Sequence, residues 1–199
     1  MSKIFLQDSF KEFCEINKLE VNAQQVKIIN LLEKFLGNEE TILSRFIKKK
    51  DKLCFYLYGE VGVGKTMLLN FAFDRLKIRK HRQHFNEFMI NFHNFRHEKK
   101  DNNTITAFVK ELKKKYDLIY LDEFQVTNIV DAMILGKLFE VIFEEKIKII
   151  ITTNSKLHDL YKDGLQRDQF LPFISIIENF SIRKELQIQD DYRTKNNKK

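Results

Sequence analysis

The sequence predicts an α/β protein of three layers, a central parallel sheet with helices on both faces. Three observations carry this: short runs that are almost continuously apolar, longer segments of helical period between them, and a glycine-rich turn joining the first run to a helix. Strands covered on both faces lose the polar alternation of a half-exposed strand and read as unbroken runs rich in β-branched and aromatic residues. The 199 residues, 43% of them hydrophobic, suffice for one continuous core.

In chain order, Asn22 is placed to cap "AQQVKIINLLEKFL", with Val26, Ile29, Leu32 and Phe35 or Leu36 on one face and Gly37 as the stop. "LCFYLYG" (Leu53 to Gly59) is the first strand, and "TMLLNFAFDRL" the helix after it. "HRQHF", before Asn86, reads as a strand, and the phenylalanines of "FNEFMINFHNF" recur at helical spacing, as core positions do. "TITAFVKELKKK" is a helix, and "DLIYLDE" (Asp117 to Glu123) a strand. Thr127 is placed to cap "NIVDAMILGKLFEVIFEE", which is apolar nearly all round and so predicted to pack between sheet and neighbours. "IKIIITTN" (Ile147 to Asn154) is the third apolar strand, followed by a helix in "QFLPFISIIENF" and a last strand in "SIRKELQI". The organisation is a helical lead-in over 1–50 packed on the core, a core over 51–190 and a polar tail over 191–199.

The net charge of +7 and pI near 9.2 come mostly from lysine. The runs "IKKKDK" (Ile47 to Lys52) and "ELKKKYD" (Glu111 to Asp117) follow amphipathic segments, where cations suit helix C-termini, so they read as solvated helix ends. Two cysteines, Cys14 and Cys54, make neither a disulfide framework nor a four-ligand zinc site, which fits a reducing compartment. The N-terminus resembles neither a secretory signal nor a transit peptide, and no run approaches the ~20 apolar residues of a membrane span. The expected location is the cytoplasm. His93 and His97 are four apart on a predicted helix, but Asn94 stands where a zincin would carry glutamate and no third ligand is evident; they read as solvated or packed.

The turn after the first strand matches G-x-x-x-x-G-K-S/T as Gly59, Glu60, Val61, Gly62, Val63, Gly64, Lys65 and Thr66. Glycines let the backbone turn tightly and approach phosphate oxygens, so that successive amides and the next helix's N-terminus point at the anion. Lys65 is expected to reach the β and γ phosphates of ATP, and the Thr66 hydroxyl to ligate Mg2+. The second apolar strand ends in Asp122 and Glu123, at the sheet end where parallel strands place ligands. Asp122 is expected to hold the Mg2+ through water, and Glu123 to orient and deprotonate the attacking water. Asn154, ending the third strand, offers a neutral amide to that water or to the γ-phosphate.

Together the loop, the two acids and the polar strand tip resemble an AAA+-like P-loop NTPase core. More narrowly, "HFNEFM" (His84 to Met89), "LDEFQVTNIVDAMILGKLFE" (Leu121 to Glu140) and "LYKDGLQRDQFLPFI" (Leu160 to Ile174) resemble the ZapE family of bacterial cell-division ATPases, whose mitochondrial relatives are the lactation-elevated type. The resemblance runs from about Asn22 to Arg193. It implies Mg2+-dependent ATP hydrolysis, the sensor-one position for Asn154, and an arginine finger for Arg167 in "GLQRDQF", acting on a neighbouring subunit's nucleotide. It further implies self-association, remodelling of a protein partner such as the tubulin-like division protein, and a cytoplasmic site of action, at the inner membrane or division site. Asn86 and Asn128 depart from the family pattern, and the chain stops six residues after "DYR", short of the family's length. Two other readings stay open: a DNA-associated loader of AAA+ type, which the charge favours and the motifs do not, and a shortened nucleotide-binding module with little turnover.

Overall fold

The computed structural model describes residues 6–37, 51–99 and 103–187. Five strands, β1 (Cys54–Tyr58), β2 (Lys80–His84), β3 (Leu118–Asp122), β4 (Lys148–Thr153) and β5 (Ser181–Glu185), form one sheet in the order β2-β3-β4-β1-β5. Every neighbouring pair is parallel. Parallel neighbours need crossovers. These are supplied by α3 (Lys65–Asp74), α4 (Phe85–Lys99), α5 (Thr104–Lys115), α6 (Ile129–Glu144) and α7 (Leu171–Phe180), while α1 (Leu6–Ile16) and α2 (Ala23–Leu36) precede the sheet.

Alternation along the strands divides the core in two. Cys54, Tyr56, Ile119, Leu121, Ile149 and Ile151 face α4 to α7. Phe55, Leu57, Leu118, Tyr120 and Ile150 face α1, α2 and α3. Three layers follow, and the continuous apolar runs are explained, since both faces of each central strand are covered. The phenylalanines of α4 serve as core: Phe85, Phe88 and Phe92 are buried. The lead-in helices pack on the α3 side, with Phe10 against Phe71 at 5.1 Å and Phe35 against Phe55 at 5.7 Å between ring centroids.

Two sequence expectations shift. The cap of α6 is Asn128, not Thr127, because the Asn128 side chain accepts from the Asp131 amide at 2.8 Å. Phe85 starts α4 instead of ending β2. Gly37 ends α2 as expected, its amide donating to the Glu33 carbonyl at 2.7 Å, with φ −71° and so without the left-handed turn a glycine permits. Asn22 caps α2 as expected, accepting from the Gln24 amide at 2.7 Å. α6 buries most of its length but leaves Val130 and Met133 exposed. Lys113 and Lys114 sit in the last turn of α5, paired with Asp117 and Glu111. Most of the run from Ile47 to Lys52 and the tail from 191 to 199 lie outside the described residues. Among the described residues no helix is long and apolar enough to cross a membrane, and no cluster of His, Cys, Asp and Glu forms a metal site; His93 instead pairs with Asp131 at 2.7 Å.

Candidate nucleotide site

All five strands run the same way, so the loop after β1 and the tips of β3 and β4 meet at one end of the sheet. Two glycines of the loop have a steric reason to be glycine. A Cβ at Gly59 would lie 2.1 Å from the Leu186 carbonyl oxygen, where the chain leaving β5 crosses the loop. Gly64 holds φ 90° and starts α3 with no side-chain cap, leaving the first amides of the helix pointing into the loop. The N-terminus of α2 reinforces this corner: Gln24 donates to the Glu185 carbonyl at 3.0 Å and accepts from the Gln187 amide at 3.1 Å.

Lys65 is buried and commits its ammonium to three acceptors, the carbonyls of Gly59 at 2.8 Å and Glu60 at 2.7 Å and the side-chain oxygen of Asn154 at 2.9 Å. Burial holds its pKa below the ordinary lysine value, against the opposing charge of Asp122. The contact brings together residues far apart in sequence that were both assigned to the site. The Thr66 hydroxyl lies 3.4 Å from Asp122 Oδ1. A hydroxyl and a carboxylate are hard oxygen donors, a set that suits Mg2+.

Asp122 is gripped from all sides. The hydroxyl of Thr152 and that of Tyr120 (3.2 Å) donate to Oδ1, as does the Glu123 amide at 3.1 Å, while Arg82 pairs with Oδ2. Burial alone would raise this carboxyl's pKa, but the Thr152 hydroxyl, Arg82 and Tyr120 outweigh it and hold it below the usual carboxylate range. Glu123 turns out of the strand in the left-handed region, φ 54°, uncommon for a residue with a side chain. Its carboxylate is 78% exposed, with His84 Nδ1 at 3.5 Å from Oε2. This exposure leaves the carboxylate open to water.

Arg167 pairs with neither Asp163 nor Asp168. It starts a short 3-10 turn (Arg167–Gln169) before α7 and donates to the carbonyls of Leu160 at 2.9 Å and His158 at 2.6 Å.

Sequence reasoning missed Arg82, Tyr120, Thr152 and Gln24. A signal existed for the first: Lys80, Arg82 and His84 share one face of a short polar strand, and another strand ends in two acids.

The layered parallel sheet and the loop after β1 are the fold of the P-loop NTPases of AAA+ type. The solved structures agree on the fold: the DnaC helicase loader matches with TM-score 0.56 at 18% identity, over 84% of this chain and 92% of that one. DnaA bound to AMPPCP and single-stranded DNA matches with TM-score 0.57 at 21% identity, over 87% of this chain and 49% of that one. The model of the AFG1-like ATPase family matches residues 4–199, and the chain belongs to that family. Its relatives include lactation elevated protein 1 homolog B of Danio rerio, 37% identical over 71% of this chain and 31% of that protein. Cell division protein ZapE of Escherichia coli K12 is 34% identical over 69% of this chain and 37% of its own length. The matches thus span about a third of these relatives.

Proposed function

We propose that the chain binds MgATP at the Gly59–Thr66 loop and hydrolyses it to ADP and phosphate, using the cycle to remodel a protein partner. The observation that carries this is the contact of Lys65 Nζ with Asn154 at 2.9 Å, with the Thr66 hydroxyl turned to Asp122 beside it. Phosphate oxygens would replace the Gly59 and Glu60 carbonyls on Lys65. Mg2+, held by Thr66 and through water by Asp122, would neutralise charge on the β and γ oxygens. Glu123 takes a proton from the water that attacks the γ-phosphorus, and the bond to the β–γ bridging oxygen breaks. Asn154 orients that water. Arg167 serves a neighbouring copy's nucleotide through guanidinium donors beyond the two hydrogen bonds that hold its own turn. The chain functions as a helical lead-in over 1–50, an ATPase core over 51–190 and a polar tail over 191–199.

The partner proposed is a protein, and, by analogy with the name of the cell-division relative, the tubulin-like division protein in the cytoplasm. The test is steady-state ATPase across protein concentration for the wild type and Lys65→Ala. Turnover in the wild type, abolished in the variant, is expected; turnover surviving in Lys65→Ala overturns the assignment. The charge of +7 favours a second reading, a loader acting on nucleic acid. That reading requires a gel shift that weakens steeply with salt.

A further inference from the structure

We propose that Arg82 is a positioning residue for the metal site: it anchors one oxygen of Asp122 so that the other faces Thr66, the two residues that would hold the cation. This rests on the nucleotide reading above. Arg82 reaches Asp122 from the sheet edge, the side away from the loop, because β2 is the outermost strand and pairs in register with β3, His84 opposite Asp122. The two oxygens of Asp122 have separate duties. Oδ2 belongs to the Arg82 guanidinium, while Oδ1 gathers the Thr152 and Tyr120 hydroxyls, the Glu123 amide and, at 3.4 Å, the Thr66 hydroxyl. The donors at Oδ1 and the guanidinium at Oδ2 restrain the carboxylate's rotation together. Clamped at both, it presents a fixed acceptor, and partners of this outer kind typically contribute ~10–100-fold to metal affinity.

The exposures separate this role from a packing one. Asp122 keeps 4% of its side chain exposed and Arg82 36%, the guanidinium opening on a cleft shared with Asn70, Asp74 and Glu87. Tyr120, whose ring lies 5.2 Å below the guanidinium, steers the side chain inward. Among the described residues Arg82 makes no hydrogen bond to the Gly59–Thr66 loop; the site residue it binds is Asp122. Its effect on nucleotide should therefore pass wholly through the metal.

The experiment is equilibrium binding of a fluorescent ATP analogue to the full chain, with Mg2+ and with EDTA, for the wild type, Arg82→Ala and Arg82→Lys. In the wild type Mg2+ tightens binding. In Arg82→Ala the affinity in EDTA should match the wild type, which also reports a folded site, while the gain from Mg2+ falls by ~10–100-fold. Arg82→Lys keeps the charge and one hydrogen bond and should recover part of the gain. An undiminished Mg2+ gain in Arg82→Ala overturns the inference and leaves the nucleotide reading standing, as does an increased gain, which would make Arg82 a competitor of the cation. Equal losses with and without Mg2+ in both variants mean that Arg82 only supports the fold, and overturn it too. A wild type that binds no analogue in either condition overturns the nucleotide reading and this inference with it.

Discussion

Glu123 and Gly59 show how much a single position decides at the sheet's loaded end. The Glu123 carboxylate is exposed while its amide is tied to Asp122, so removing its charge leaves the contacts of Asp122 in place. Glu123→Gln should retain nucleotide with Mg2+ and slow hydrolysis by roughly two to four orders of magnitude, read by single-turnover assays beside binding. Equal collapse of binding and turnover would make it a structural residue. At Gly59 the constraint is space. A methyl group would press the Leu186 carbonyl, 2.1 Å from the new carbon, and the backbone carbonyl cannot step aside as a flexible side chain could. Gly59→Ala should cost about 1–3 kcal/mol in denaturant unfolding and weaken nucleotide binding. Unchanged stability would mean that the crossing of β5's exit over the loop is loose.

At the scale of elements, the join between α2 and the sheet rests on a half-buried lysine. Lys148, at the start of β4, donates to the carbonyls of Phe35 at 2.7 Å and Leu36 at 3.5 Å, the last turn of α2. Burial lowers its pKa from the ordinary 10.5, with Asp51 opposing. The folded chain then releases this proton more readily than the unfolded one. The group's contribution to stability therefore rises as pH climbs from the lowered value towards 10.5, and is lost as pH falls back through it. Lys148→Met keeps the stem and removes the donors. It should destabilise the protein by about 1–2 kcal/mol. The gap from wild type should widen with pH in that window, measured by unfolding at several alkaline pH values. A gap that narrows would show that the ammonium, not the neutral amine, makes the join.

For the whole molecule the open quantity is whether one copy completes its own site. Arg167 spends two donors on its own chain and is itself half-buried, in a turn whose other residues are exposed. If it also serves a neighbour, specific activity should rise with protein concentration. Arg167→Ala should bind ATP nearly as wild type does and turn it over slowly. Mixing it with Lys65→Ala should restore part of the turnover, because an intact loop on one copy meets an intact arginine on the other. Loss of ATP binding in Arg167→Ala, or no recovery in mixtures whose assembly is shown by sedimentation, would confine Arg167 to bracing the turn at His158 and Leu160.

Much of this was readable from local sequence, for a physical reason. A strand buried on both faces must be apolar throughout, so β1, β3 and β4 announce themselves, and a phosphate-cradling turn needs its glycines, lysine and hydroxyl within eight consecutive positions. Asp122, Glu123 and Asn154 followed, as residues ending such strands. Only the tertiary structure decided what those residues touch. Strand order is not local: nothing in "KHRQHF" says that it lies beside β3, so the pairing of Arg82 with Asp122, forty positions away, was hidden. The same holds for Lys65 with Asn154, for Gln24 at the exit of β5, and for Arg167, whose nearest charges in sequence were passed over for two carbonyls. Periodicity fixes which face a side chain takes. Which partner waits on that face depends on the order in which the chain lays its strands down.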